Sequence, residues 1–290
     1  MEEVMATRRI SPTVRRRRLA KILGDRRAEL GKARNDAAEY VGVGAVTITR
    51  MESPTAGKPK LADVERYARY LEFNDAQVAE LVQLARDCRT KGWWQQLGGA
   101  FDNAYLTFIG MEEEADTVQQ FSISAVPGLL QTSDYQRALI AADMKSSPEE
   151  QVEELVVARQ VRQKRLEGDD ALTGWFIIGE AALRCRVGGE KVMREQLERL
   201  LALSHNDNVE LQVLSFDKGA HPAIATGSFT ILGFPDQQDP QVVYRELITG
   251  LFIEDAAEVK GHGRLFDRLK AQALGPDESR ELVTRLLAEL

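Results

Sequence analysis

Residues 41–53 read VGVGAVTITRMES. Gly42, Val43 and Gly44 make a tight turn, and a short helical pattern follows. Ile48 and Met51 fall on one side of that helix, and Thr49 and Arg50 on the other. Ser53-Pro54 ends it, and TAGKPK is a turn-rich loop. A buried back, a polar front and a glycine turn ahead of it describe a helix held at a fixed angle to the one before.

The flanking sequence supplies the elements that would hold it. RRRRLAKILGDRRAELG places Leu19, Ile22, Leu23 and Leu30 on one helical face, with Gly31 as a stop. RNDAAEYVG is a second short helix with Ala37, Ala38 and Val41 inward. Residues 60–71 place Leu61, Val64, Ala68 and Leu71 at helical spacing, and Asn74 or Asp75 caps a fifth helix running through Cys88. The fold expected for residues 15–89 is a mainly α bundle of five helices. Residues 1–14 have no periodicity and read as a flexible arm.

Length and composition bound the rest. The 290 residues suit two domains, and 43% apolar with 29% charged residues is an ordinary globular mix. No stretch approaches 18 apolar residues, so no membrane span is expected. The N-terminus is Arg-rich but lacks an apolar core, so it is no secretory signal. Cys88 and Cys185 lie far apart, which suits a cytoplasmic chain with reduced thiols. The net charge of −7 divides into +7 over residues 1–70 and −14 over the remainder. A basic module on an acidic body points to a polyanion partner at one end.

A helix pair of this kind suits double-stranded DNA. The first helix crosses the phosphate backbone and the second lies in the major groove. Ala38 lets the two helices approach, Gly42 makes the turn, and Val41 and Val43 fill the wedge. Arg34, at the start of the first helix, suits a phosphate. RNDAAEYVGVGAVTITRMES resembles the lambda-repressor-like helix-turn-helix of the Xre family through Ala38, Val41, Gly42, Val43, Ile48, Thr49, Arg50, Met51 and Glu52. Arg34 stands where Gln is common, Ala37 where Leu is common, and Gly44 where Ser or Thr caps the helix. By that resemblance Ala45, Val46, Thr49 and Arg50 face the groove, with Gly44 and Thr47 at the helix start. Ala and Val can pack on a thymine methyl but donate no hydrogen bond. Arg50 can pair with guanine, contact phosphate, or bridge to Glu52. Lys58 and Lys60 are expected phosphate contacts. The Arg15–Arg18 run either tracks the backbone, enters a minor groove or is solvated.

TKGWWQQLGGAF interrupts the helical pattern, and the domain boundary is expected there, at residue 90. YLTFIGMEEEADTVQQF reads as a helix running into a strand. SAVPGLLQTSDYQRALIAAD reads as a Pro-Gly turn and a helix capped by Thr132, Ser133 or Asp134, and residues 148–167 as a charged helix. ALTGWFIIGEAAL, VELQVLSF, GSFTILGF and QVVYREL hold strand-like runs, VMREQLERLLALS is amphipathic, and DESRELVTRLLAEL is a closing helix. Strands interleaved with helices give a larger α+β domain over residues 90–290. GWW (92–94), AVPGLLQTSDYQRALI (125–140), VARQVRQKRL (157–166), GEAALRCRVGG (179–189), VLSFDKGAHPAIATGSFTILGFPD (213–236) and VVYRELITGLFIED (242–255) resemble the domain of unknown function numbered 5753. In WhiJ-like actinobacterial regulators that domain is joined to an Xre-type helix-turn-helix. The resemblance implies a transcriptional regulator, often accompanied by a small neighbour-encoded partner protein and sometimes described as antitoxin-like.

Enzyme signatures are missing from the sequence. His205, His221 and His262 lack HxxxH or CxxH spacing, so no metal is expected, and there is no convincing GxSxG, P-loop or GxGxxG. No catalytic residue and no cofactor are expected. His221, in a Gly/Ala-rich loop, either lines a ligand pocket or is satisfied locally. Cys185, beside Arg184, is either an activated thiol or a semi-buried inert one. Glu112–Glu114 reads as a solvated helix face or a cation site. Trp93 and Trp94 would point about 100° apart in a helix, one to the domain junction and one to a partner chain, unless both are core. TGLFIED (249–255) is a core strand or an interface. The reading that results is a sequence-specific DNA-binding regulator. Its larger domain dimerises and receives a small protein or ligand signal. The alternatives are an antitoxin-like module that sequesters a partner, and a small-molecule sensor.

Overall fold

Ser11 and Pro12 start the first helix. The Ser11 hydroxyl accepts from the Thr13 N–H at 3.3 Å, and Pro12 sits in the first turn, where it has no N–H to leave unpaired. α1 therefore runs Pro12–Glu29 and includes the end of the expected arm, residues 12–14. The computed structural model describes residues 11–97, 102–143, 149–236, 238–246 and 250–290, so the first ten residues of that arm lie outside it. α2 (Arg34–Val41) ends at Gly42, whose φ of 75° is the left-handed conformation glycine adopts without strain. α3 (Ala45–Met51), α4 (Leu61–Tyr70) and α5 (Asp75–Asp87) complete the bundle. Asn74 caps α5 in a reciprocal capping box with Gln77. Leu19, Leu23, Ala37, Ile48, Val64, Ala68 and Leu71 are fully buried in one core. Each of the larger ones contributes roughly 1.5–3 kcal/mol by leaving water.

The chain divides into two units between Gln96 and Leu97, so the tryptophan turn belongs with the helical unit. Trp94 is buried and Trp93 half-buried, edge-to-face with centroids 6.0 Å apart. A Cβ on Gly92 would lie 2.4 Å from the Trp94 ring, so only glycine fits there.

The second unit is built on a six-stranded sheet: β1 (Thr117–Ser122), β2 (Thr173–Gly179), β3 (Val209–Leu214), β4 (Phe229–Gly233), β5 (Val242–Arg245) and β6 (Leu251–Ile253). The strand order is β3-β2-β1-β4-β5-β6. β1, β2 and β3 are parallel, so their connections need crossovers: α7 (Ser133–Asp143) and α8 (Glu149–Gln163), then α9 (Glu180–Arg184) and α10 (Glu190–Leu203). β4, β5 and β6 add antiparallel to the other edge of β1.

Side-chain alternation sends residues to two cores. Val118, Phe176, Ile178, Val213, Leu232 and Val242 pack on one face with α6 (Asn103–Glu112), α10 and α12 (Pro276–Ala288). Phe121, Ile177, Phe229, Ile231 and Val243 face the other way, against Val259, Phe266 and Leu269 of α11 (Ala256–Gln272). The TGLFIED run holds the short edge strand β6, with Leu251 exposed. Glu112 and Glu114 are buried, not a solvated face, and Cys185 is exposed, not semi-buried. No helix among the described residues is long and apolar enough to cross a membrane.

Candidate nucleic-acid interface

The back of α3 is sealed and its front is open. Ile48 and Met51 are buried, Thr49 and Arg50 are exposed, and Val46 is 69% exposed. Ala45 and Thr47 are half-buried on the flanks. No side chain caps α3 at Gly44, the position where Ser or Thr is usual. The Thr49 hydroxyl donates back to the Ala45 carbonyl at 3.2 Å, so it is engaged within the helix while the residue stays exposed like Val46.

Gly44, Thr47 and Arg50 line one groove together with Lys58 and Lys60 from the following loop. Five of the nine residues expected at the DNA surface are thus brought together. Among the described residues, Arg50 and Lys60 have no side-chain partner, so two exposed cations stand available beside α3. The other two expected cations are engaged. Lys58 Nζ donates to the Arg89 carbonyl at 2.9 Å, at the end of α5. Arg34 is bound to Glu52 at 2.8 Å while remaining half-exposed.

Glu52 is the hub that fixes α3. Its carboxylate accepts two hydrogen bonds from Arg27 of α1, at 2.6 and 3.1 Å, one from Arg34 of α2 and one from the Tyr67 hydroxyl of α4. Burial alone would raise its pKa, but these donors outweigh it and hold the carboxyl below its ordinary value. Tyr67 is pushed well above the usual phenol range by burial and by donating to that carboxylate. Arg50 therefore does not bridge to Glu52, one of the fates open to it in sequence.

Arg16 performs a second fixing role. It is buried, and its guanidinium donates to the carbonyls of Arg50, Met51 (3.1 Å) and Ala56 (3.2 Å). A cation at a helix C-terminus meets both the orphan carbonyls and the negative end of the dipole. Burial lowers its pKa, though an arginine stays charged. Arg15 is buried as well, so the arginine run begins as scaffold, not as an arm along the DNA. Sequence reasoning missed both hubs because the partners lie 15 to 40 residues apart.

His221 is half-buried on the opposite side of the second unit's sheet from α10, edge-on to Phe121 at 5.7 Å. Among the described residues no group of three or more His, Cys, Asp or Glu side chains is placed to hold a metal.

A bundle with an uncapped, outward-facing α3, joined to an α+β unit, defines a helix-turn-helix protein with a second domain. The comparisons agree: a helix-turn-helix domain family matches residues 14–81. The Domain of unknown function (DUF5753) family matches residues 105–285, and the chain belongs to that family. No curated protein and no solved structure gives a significant match.

Proposed function

We propose that the protein is a sequence-specific DNA-binding transcriptional regulator that reads DNA through α3. The observation that carries this is the front of α3. An exposed valine, an exposed threonine and an uncommitted arginine stand beside Lys60, on a helix whose back is buried and whose end is fixed by Glu52 and Arg16. That face pairs apolar contact to thymine methyls with one strong donor for guanine. The second unit dimerises the chain and receives a signal, so that two α3 helices meet half-sites roughly 34 Å apart. A change in that unit alters the spacing, and with it the affinity. A polar cavity in the second unit favours a small-molecule signal over a small protein partner.

A genome-wide map of bound sites, followed by titration of the recovered sequence, tests the reading. Lys60→Ala is expected to weaken binding on every sequence and reduce the salt slope by about 1. Arg50→Ala is expected to cost about 1–3 kcal/mol on the recovered site only, relaxing one base pair. Retention of no sequence above random DNA would refute the proposal.

A further inference from the structure

A cavity of about 340 Å³ opens in the second unit over the C-terminal end of β1. There β1 has a parallel neighbour on one side and an antiparallel one on the other. The strand order also reverses at β1, and in open sheets with parallel strands the crevice beyond the carboxyl ends at such a point is where ligands sit.

The cavity floor departs from the rule that governs the rest of this face. Gln120, Thr230 and Tyr244 are in register across β1, β4 and β5, forming a polar row where neighbouring positions are Val118, Leu232 and Val242. Ser122 extends the row. Thr230, Tyr244 and Ser122 are buried, and none of the four side chains has a hydrogen-bond partner among the described residues. Their polar atoms are not sealed in the core but open onto the cavity, where water or a ligand can satisfy them.

The wall contributed by α8 carries two arginines with different duties. Arg162 is fully committed: it binds Glu112 through two bonds of 2.7 and 2.8 Å and donates to the Tyr105 hydroxyl. Arg159 is not. Among the described residues its hydrogen bonding is limited to a long 3.5 Å approach to Gln131 Oε1, and its buried Nε has no acceptor. One guanidinium is thus left lining the cavity with no ion-pair partner among the described residues. Phe108 and Tyr244, stacked at 4.4 Å, line the same space with Leu139 and Val126.

We propose that this cavity binds a small organic monocarboxylate with a flat apolar body. The planar carboxylate matches the guanidinium fork of Arg159. Ser122, Thr230 and Gln120 satisfy its remaining lone pairs, and the aromatic wall takes the body. A phosphate dianion fits less well: Glu112 already neutralises Arg162, and the Glu246 carboxylate, which also lines the cavity, repels two negative charges more strongly than one. The volume lies at the small end of ligand pockets, roughly 300–1,000 Å³. The site's role as the regulatory input rests on the function proposed above; its occupancy does not.

Saturation-transfer NMR on the full chain tests this, with benzoate, phenylacetate, 4-hydroxybenzoate and indole-3-acetate as probes. Each is compared with its carboxamide, and phenyl phosphate serves as the dianion. At least one acid is expected to bind, with its amide and phenyl phosphate at least tenfold weaker. Arg159→Gln is expected to weaken the acid tenfold or more, and the isosteric Thr230→Val about threefold, with both variants keeping the wild-type melting temperature. If Arg159→Gln does not fold, Thr230→Val and the acid–amide pair carry the test. Binding by no acid, equal binding by the amides, tighter binding by phenyl phosphate, or an acid indifferent to both substitutions overturns the proposal. DNA affinity, measured on the same samples, separates the two readings: its absence would leave an occupied cavity standing.

Discussion

Replacing Glu52 with alanine should undo the helical unit while sparing the sheet. The Glu52 side chain is 4% exposed, and its partners differ in value. Arg34 is 49% exposed, so its bond counts as a surface pair, about 0–1 kcal/mol. Arg27 is 15% exposed and bidentate, and charge-assisted bonds of that kind contribute about 1.5–3 kcal/mol. The buried Tyr67 hydroxyl would lose its acceptor at a cost of about 1–3 kcal/mol. Allowing for overlap among these, the loss is about 3–5 kcal/mol, the range for breaking a buried pair from one side. For a domain of this size that is more than about 12 °C in Tm. Glu52→Gln keeps an acceptor for Tyr67 and should cost about half as much.

The acid limb supplies a second reading of the same variant. Because the folded pKa of Glu52 is lowered, its contribution is present above the ordinary carboxylate pKa of about 4.3 and is lost as pH falls through the folded value. Glu52→Gln should flatten that part of the profile. Hydrogen exchange with mass spectrometry, beside urea melts, is the assay. Protection should fall across α1–α4 and hold in β1–β4. A Glu52→Ala protein that melts within about 0.5 kcal/mol of wild type, or that loses protection equally in both units, would refute the reasoning.

Three further outcomes are expected. Arg16→Leu should destabilise the helical unit by about 2–4 kcal/mol, since three carbonyls lose a buried charged donor; Arg16→Lys should recover only part, and urea melts decide it. Glu112→Gln should cost the second unit about 3–5 kcal/mol, whereas Glu112→Leu with Arg162→Met should recover most of that loss in the same melts. Iodoacetamide at pH 8 should label exposed Cys185 and spare Cys88, whose thiol burial pushes up to about 11; peptide mass spectrometry showing equal labelling would refute this.

Short-range rules explain what was legible in the sequence. The five N-terminal helices follow from 3.6-residue spacing, caps and stops, all written within a few residues of each other. The exposed front of α3 follows from the same spacing. Helix α11 went unread because Gly261 and Gly263 break its propensity, each at about 1 kcal/mol; burial of Val259, Phe266 and Leu269 against the sheet compensates. The burial of Glu112 went unread because its partner, Arg162, lies 50 residues away. In sequence Arg16 belongs to a run that suits DNA tracking or solvation, and its buried carbonyl partners lie 34 to 40 residues away. A charged residue's fate depends on what the fold brings to it, and local pattern carries no record of that. The polar row Gln120–Thr230–Tyr244 depends on the pairing of three strands, which alternation within one strand does not specify.

The open valine at position 46 has a consequence for how the protein would meet chemically altered DNA. A side chain that offers only methyl groups takes no part in the donor–acceptor code of a base pair; it responds to the shape of the groove floor. Thymine and 5-methylcytosine present the same methyl at the same ring carbon. If α3 reads DNA as proposed, cytosine methylation would place on a G·C pair the same methyl that Val46 would pack on at thymine, and the helix would respond to an epigenetic mark as well as to sequence.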